Sequence, residues 1–395
     1  MMAIKMPEIS LKTAVMGLSL GALVVGLRTA HADGVRVTEA TAARGRAAPG
    51  PAPVWRGDGR RTGRATGAPK ALSVLWKVSV GDGLDVAPAV DTRSVVAATT
   101  SGAVVSLDRS SGRETARAQL PAPVAQSLSL TARGDRIAVT AGGDVMALTA
   151  SGRVRYRRVL PARANELTTV PLLTAGGGVL LAMGASLLLL DADGDVVDQA
   201  TLPEATTGAL VEGPSGGALA VTETGRVYRW SPPASPALLG SLGGAPTMPA
   251  ALAGRSLVSV VEGRRLVFFD VGAGAAGVVV TAASTIEAPA SVGAGGEVWL
   301  TTAGGMTAVD ATGAEVEKAT LAIGDSLAVP PLALPERRVA LVRASGEVVI
   351  WSHEGVTTSE GRVCTDPVGL AADAAQVIVS CRDGAVVALG SSGSP

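Results

Sequence analysis

The 395-residue chain contains nine aromatic residues, two histidines and two cysteines, and a single asparagine, Asn165. So few aromatics leave little material for stacking platforms under sugars, bases or flat cofactors. One histidine outside the first 32 residues, His353, leaves a nucleophilic serine or cysteine almost no choice of base. With two cysteines 17 positions apart, a zinc cluster cannot be assembled. Charge of one sign is also missing, since 34 basic residues face 34 acidic ones, and nothing in that balance favours nucleic acid or anionic lipid.

The N-terminus has a weakly basic start (Lys5, Lys12), an apolar run over 14–27, and small residues at Ala30 and Ala32 before Asp33. This is the grammar of a secretory signal peptide covering 1–32. The run is shorter than the roughly 20 residues that span a bilayer, so no membrane anchor is expected after cleavage. The nearest cysteine is Cys364, so no lipid-modification site stands there. A periplasmic or extracellular protein follows. Residues 33–69, rich in Ala, Arg, Gly and Pro, read as a flexible leader.

What the chain does have is a repeat. A glycine-led turn followed by a short alternating strand recurs at Gly102, Gly143, Gly184, Gly225, Gly263, Gly305, Gly346 and Gly384, with spacings of 41, 41, 41, 38, 42, 41 and 38 residues. Eight units of about 40 residues, each with room for four short strands, predict an all-β, eight-bladed β-propeller of four-stranded antiparallel sheets. Prolines 88, 171, 249, 289, 330 and 367 open the units. A β-branched run, the glycine turn with its strand, and a more polar outer segment such as 113–120 follow in each. The last unit stops at Leu389, one strand short, and 72–80 supplies a strand ahead of the first unit. Pairing the two closes the ring and removes an open sheet edge. The predicted organisation is signal peptide 1–32, leader 33–69, one propeller over 70–390 and a tail at 391–395.

Trp55-Arg-Gly-Asp-Gly-Arg-Arg-Thr-Gly63, Leu75-Trp76-Lys-Val78, Ala87-Pro-Ala-Val90 and Gly102-Ala-Val-Val-Ser-Leu-Asp108-Arg-Ser-Ser-Gly112 resemble the pyrroloquinoline-quinone-repeat, or quinoprotein-like, β-propeller family, on its cofactor-free BamB-like branch. The family's blade-docking motif ends in a tryptophan. Here Asp108 and Gly112 match, but Ala116 occupies the tryptophan slot and only Trp76 stands where such a residue belongs. Dehydrogenases of the family hold their quinone under a tryptophan, often against a vicinal disulfide, beside calcium bound by Glu, Asn and Asp. This chain has no adjacent cysteines and only Asn165. The resemblance therefore implies a non-catalytic scaffold with no cofactor, binding a protein partner of the cell envelope, possibly in outer-membrane protein assembly, and working as a monomer. The alternatives are a quinone-dependent oxidoreductase and a carbohydrate-binding propeller. No catalytic, cofactor-binding or metal-binding residue is predicted, and the ligand-binding residues cannot be read from the sequence.

Several short motifs imitate active sites. Gly272-Ala-Gly-Ala-Ala-Gly277 matches a dinucleotide fingerprint, but strand-forming Val278-Val-Val280 follows where a helix is required. Gly213-Pro-Ser215-Gly-Gly217 and Gly324-Asp-Ser326-Leu327 resemble serine-hydrolase turns without a histidine base. Arg56-Gly57-Asp58 imitates an adhesion tripeptide, and Asp191, Asp193 and Asp195 could share a calcium ion or simply form a solvated turn. In an oxidising compartment Cys364 and Cys381 are expected to form a disulfide. A hairpin reversing at Ala372 and Asp373 would set them opposite each other, the alternative being two buried thiols.

Overall fold

A computed structural model describes residues 54–160, 170–174, 178–320 and 326–392. They form eight four-stranded antiparallel sheets. Blades 1 to 7 take their strands in chain order from 89–119, 129–159, 172–201, 211–241, 251–281, 291–319 and 332–358. Blade 8 combines Pro367–Ala372, Val377–Cys381 and Ala385–Gly390 with Ser73–Ser79 as its outermost strand. Ser73 stands opposite Gly390 and Ser79 opposite Ala385, so the two ends of the ring are joined by one sheet. The single short helix among the described residues is the 3-10 turn Pro335–Arg337.

The sequence pattern explains the layers. The third strands, such as Ala103–Asp108, are buried almost throughout, whereas the outer strands Glu114–Gln119, Val154–Val159 and Val196–Thr201 alternate exposed and half-buried. Eight apolar clusters each fill the gap between neighbouring blades. Val95, Val105 and Leu107 of blade 1 pack against Trp76, Ile378 and Val386 of blade 8, and Leu332 and Ile350 of blade 7 pack against Val379 and Leu389. Val, Leu and Ala thus do most of the packing, with Trp230 and Trp299 fully buried. The leading glycines sit where the backbone turns left-handed. Gly225 has φ +85°, and a Cβ there would stand 2.0 Å from the Gly244 carbonyl oxygen, so only glycine fits.

Cys364 and Cys381 form a disulfide with Cα atoms 6.0 Å apart, but not by the expected register. Cys381 pairs with Pro367, Ala372 pairs with Val377, and a bulge lies between Pro367 and Gly369. Asp373 Oδ1 accepts the backbone N–H groups of Ala375 and Gln376 at 2.9 and 3.0 Å, which places the reversal two residues later than predicted. Cys364 therefore lies in the approach to the strand and reaches Cys381 diagonally.

Candidate functional site in the ring axis

Part of the predicted leader is built into the ring. Gly59, Arg60, Thr62 and Gly63 offer their carbonyl oxygens to the backbone N–H groups of Glu212, Leu252, Val292 and Ala333 at 2.7 to 2.9 Å. Those four donors belong to the innermost strands of blades 4, 5, 6 and 7, so successive residues of one segment serve successive blades. Ala65 N–H returns a bond to the Ala333 carbonyl at 2.9 Å, and Val54 packs with Ile137 and Leu173 of blades 2 and 3. The expectation of a flexible leader over 33–69 is corrected for 54–68. Its backbone polar groups are satisfied by strand edges that composition cannot reveal. Residues 33–53 and the signal peptide at 1–32 lie outside the described residues.

Local chemistry bends this segment into the axis. The Asp58 carboxylate accepts the Thr62 N–H at 3.0 Å and the Thr62 hydroxyl at 2.7 Å, closing a turn. Arg61 is wholly buried. Its Nε donates to the Leu210 carbonyl at 3.1 Å, its Nη2 to Pro171 at 2.8 Å and its Nη1 to Trp55 at 3.1 Å. Arg56 is buried beside it, donating from Nε to the Arg61 carbonyl at 3.1 Å and from Nη2 to the Ala290 carbonyl at 2.5 Å and Ser291 Oγ at 3.1 Å. Ser291 Oγ passes the bond on to the Pro331 carbonyl at 2.7 Å. The acceptors Pro171, Leu210, Ala290 and Pro331 each precede an innermost strand, so the repeat arranges backbone carbonyls around the axis and the two arginines gather them. A planar guanidinium with five donors is the side chain suited to this.

No carboxylate forms an ion pair with Arg56 or Arg61 among the described residues. Burial pushes both guanidinium groups down to about 10, with Asp58 opposing the shift. Both therefore stay charged at neutral pH, and the axis carries two buried positive charges held by backbone carbonyls, with Asp58 as a nearby counter-charge.

Beside them, toward blades 7, 8, 1 and 2, lies a cavity of about 270 Å³ walled by Trp55, Arg56, Ala87, Ser127, Leu332 and Gly369. Arg56 Nη1 has no acceptor among the described residues. A wider cleft of about 730 Å³ opens between blades 5, 6 and 7, with Arg255, Glu297, Asp310 and Arg337 on its walls.

The motifs flagged in the sequence resolve into turns. Asp191 Oδ1 accepts the N–H groups of Asp193 and Asp195, both at 2.9 Å, and Asp195 pairs with Arg158. Gly272 and Ala273 donate to Asp270 Oδ1, and the strand Ala275–Thr281 follows directly. Ser215 sits in the hairpin between Val211–Glu212 and Ala218–Val221, and His353 is exposed next to Glu354. Gly324, Asp325 and Asn165 lie outside the described residues. Arg56 of the adhesion-like tripeptide is buried. Among the described residues no three His, Cys, Asp or Glu side chains cluster as a metal site requires.

These residues do not fit a quinone with its calcium. The two cysteines are not adjacent, and the segment 54–68 carries four arginines (Arg56, Arg60, Arg61 and Arg64) and one carboxylate, Asp58, which is taken by Thr62. Sequence reasoning missed the axial segment, whose signal was the density of Gly and Arg in 56–64. It also missed Tyr156, which covers Gly194 of the next blade as Trp76 covers Gly112.

Residues 66–235 match the family described as outer membrane protein assembly factor BamB. Many solved propellers share the fold. A europium-containing methanol dehydrogenase is 10% identical over 87% of this chain and 98% of its own, with a TM-score of 0.67. The quinohemoprotein alcohol dehydrogenase ADHIIG from Pseudomonas putida HK5 is 10% identical over 92% of this chain and 82% of its own, at 0.66. BamB from Moraxella catarrhalis is 17% identical over 80% of this chain and 88% of its own, at 0.45. At such identities likeness extends to the fold and no further. No curated protein matches the sequence.

Proposed function

We propose, from the eight-bladed fold and the match of residues 66–235 to the family described as outer membrane protein assembly factor BamB, that this pyrroloquinoline-quinone-repeat β-propeller is a non-catalytic scaffold of the bacterial cell envelope, exported by its signal peptide, that holds a protein partner. The observation that carries this reading is the occupied axis. The place where a propeller can enclose a cofactor is filled by the chain's own residues 54–68, which hydrogen-bond to four blades. The missing quinone and calcium ligands point the same way. Besides the cavity of about 270 Å³ left beside the segment, what remains open is the rim, where loops stand on a fixed frame, and the outer strand edges. Val154 and Val159 of blade 2 and Val196 and Val197 of blade 3 stand exposed on outermost strands whose second edge is unpaired. Such edges can accept an extended strand from a partner. A role in outer-membrane protein assembly, as the name of the matching family describes, fits a partner of that kind.

The test places photo-crosslinking residues at 159 and 197 of the exported protein in living cells. A single recurrent envelope protein at both positions supports the scaffold. Stoichiometric binding of added pyrroloquinoline quinone with calcium, together with dye-linked substrate oxidation, overturns it.

A further inference from the structure

We propose that the cleft between blades 5, 6 and 7 binds an amino acid with a basic side chain, whose cation supplies the counter-charge that Glu297 lacks. The site lies away from the strand edges of blades 2 and 3 and does not depend on partner binding there. Glu297 is 7% exposed and lines the cleft. Its carboxylate accepts no hydrogen bond and forms no ion pair among the described residues. Neither of its oxygens is sealed from solvent as the orphaned atoms of the interior are, so its open side is the cleft that it lines. A carboxylate withdrawn from water needs a cation or a full set of hydrogen bonds.

The repeat supplies its own control. Residues 129–137 of blade 2, Ser-Leu-Thr-Ala-Arg-Gly-Asp-Arg-Ile, and 291–299 of blade 6, Ser-Val-Gly-Ala-Gly-Gly-Glu-Val-Trp, form the same hairpin. Ser129 pairs with Ile137 as Ser291 does with Trp299, and the turn glycines Gly134 and Gly296 have φ +80° and +88°. Asp135 therefore stands where Glu297 stands, and at 6% exposed it is just as buried. It is met by Arg133 at 3.5 Å and by Arg155 of the outer strand at 3.2 Å. The hairpin alignment puts Gly295 in the place of Arg133. Leu148 pairs with Val154 as Val309 does with Glu315, which puts Val316 in the place of Arg155. Both replacements line the cleft. Blade 6 thus keeps the buried carboxylate, lacks both of its cations, and is open on the side where they would lie.

The rest of the wall selects the body of the ligand. Asp310, in the place of the neutral Thr149, adds a second negative charge, although its Oδ1 already accepts the Thr312 and Ala314 N–H groups at 2.8 and 3.1 Å. Phe268 and Val316 offer apolar surface to an alkyl stem. Arg255 and Arg337 stand exposed on the wall without an ion pair, and their guanidinium forks suit an α-carboxylate. A cleft of about 730 Å³ lies within the roughly 300–1,000 Å³ of pockets that hold small molecules. Cationic head, alkyl stem and carboxylate together describe a basic amino acid.

Isothermal titration of the full-length protein with L-arginine, citrulline and agmatine tests the site. Saturable binding of arginine is expected. Agmatine, which lacks the carboxylate, should bind more weakly, and citrulline, which keeps the shape and loses the charge, should not bind. Glu297→Gln should weaken arginine binding by about tenfold or more, as removal of one member of a buried charge pair does. Val316→Arg returns to blade 6 the cation that blade 2 carries; it should raise the melting temperature and abolish binding, and it decides the matter if Glu297→Gln does not fold. No saturable response to arginine, equal binding of citrulline or agmatine, or unchanged affinity in Val316→Arg overturns the site.

Discussion

Trp76 in the outer strand of blade 8 rests on Gly112 in the last turn of blade 1. A Cβ at Gly112 would come within 2.7 Å of the indole, whose Nε1 donates to the Arg109 carbonyl at 2.9 Å. The tryptophan thus docks the closing strand onto the first blade. Gly112→Ala combines this clash with a φ of +71° and should destabilise by about 2 kcal/mol or more. Trp76→Ala should cost about 3–5 kcal/mol. The double variant should lose less than the sum, because the two share one contact. Urea unfolding of the three variants checks this, and strict additivity would refute the docking role.

Truncation separates the segment in the axis from the residues before it. A protein beginning at residue 54 should melt close to the full chain. Deletion through 69 keeps the closing strand Ser73–Ser79 but removes every bond from 59–63 to blades 4–7, and should melt far lower or aggregate. The expectation of a flexible leader over 33–69 does not survive these contacts. Arg61→Ala should by itself lose about 3 kcal/mol or more, since carbonyls of Leu210 and Pro171 are left without donors at about 1–3 kcal/mol each. Equal melting temperatures for the two truncations would show that the axial segment adds nothing.

The disulfide closes a loop with sequence separation 17, and the chain-entropy model puts its stabilisation at about 3 kcal/mol. Thiol titration of the denatured, unreduced protein should find no free thiol. Cys364→Ser with Cys381→Ser should lower the denaturation midpoint. Because the bridge lies in blade 8, the loss should appear first as increased hydrogen exchange in Ser73–Ser79, the strand that blade must hold.

Three half-buried aspartates brace blade turns and should mark the acid limb of stability. The hydroxyls of Ser110 and Ser111 hold the Asp108 carboxyl below the usual carboxylate range. Backbone N–H groups of Ala273 and Gly272 do the same for Asp270, and the Thr312 hydroxyl and N–H for Asp310. A lowered folded-state pKa gives stability that is present above the unfolded value near 4 and is lost as pH falls through the folded values. The melting temperature should therefore drop between about pH 4 and pH 2, and the triple Asp→Asn variant should start lower at pH 7 and drop less. Parallel curves for the two proteins would exclude this origin.

The ring was legible because its determinants are local and repeated. Eight glycines at positive φ and an orphan strand before the first unit are visible to anyone counting along the chain. The Cys364 hairpin was misjudged by two residues because Asp373 caps the turn with its side chain, and an Asx turn and a bulge shift register without altering the apolar pattern. The axial segment was invisible for the opposite reason. Gly59, Arg61 and Gly63 find their partners at Glu212, Leu210 and Ala333, and a leader judged on its own composition shows none of them. Tyr156 was overlooked because the docking position was sought as a tryptophan, although another aromatic ring can cover the same glycine.

The strand and the axial segment that complete the ring are the first parts of the propeller to be synthesised and the last to find all their partners. Ser79 must wait for Ala385, and Gly63 for Ala333. Early blades can form as they emerge, but none of the arcs they build has a finished seam or a filled centre until the C-terminal strand arrives. Pairings so distant along the chain slow folding. The chain therefore remains an open arc with exposed edges until its last strand is made, and its commitment to the native state is a single late event.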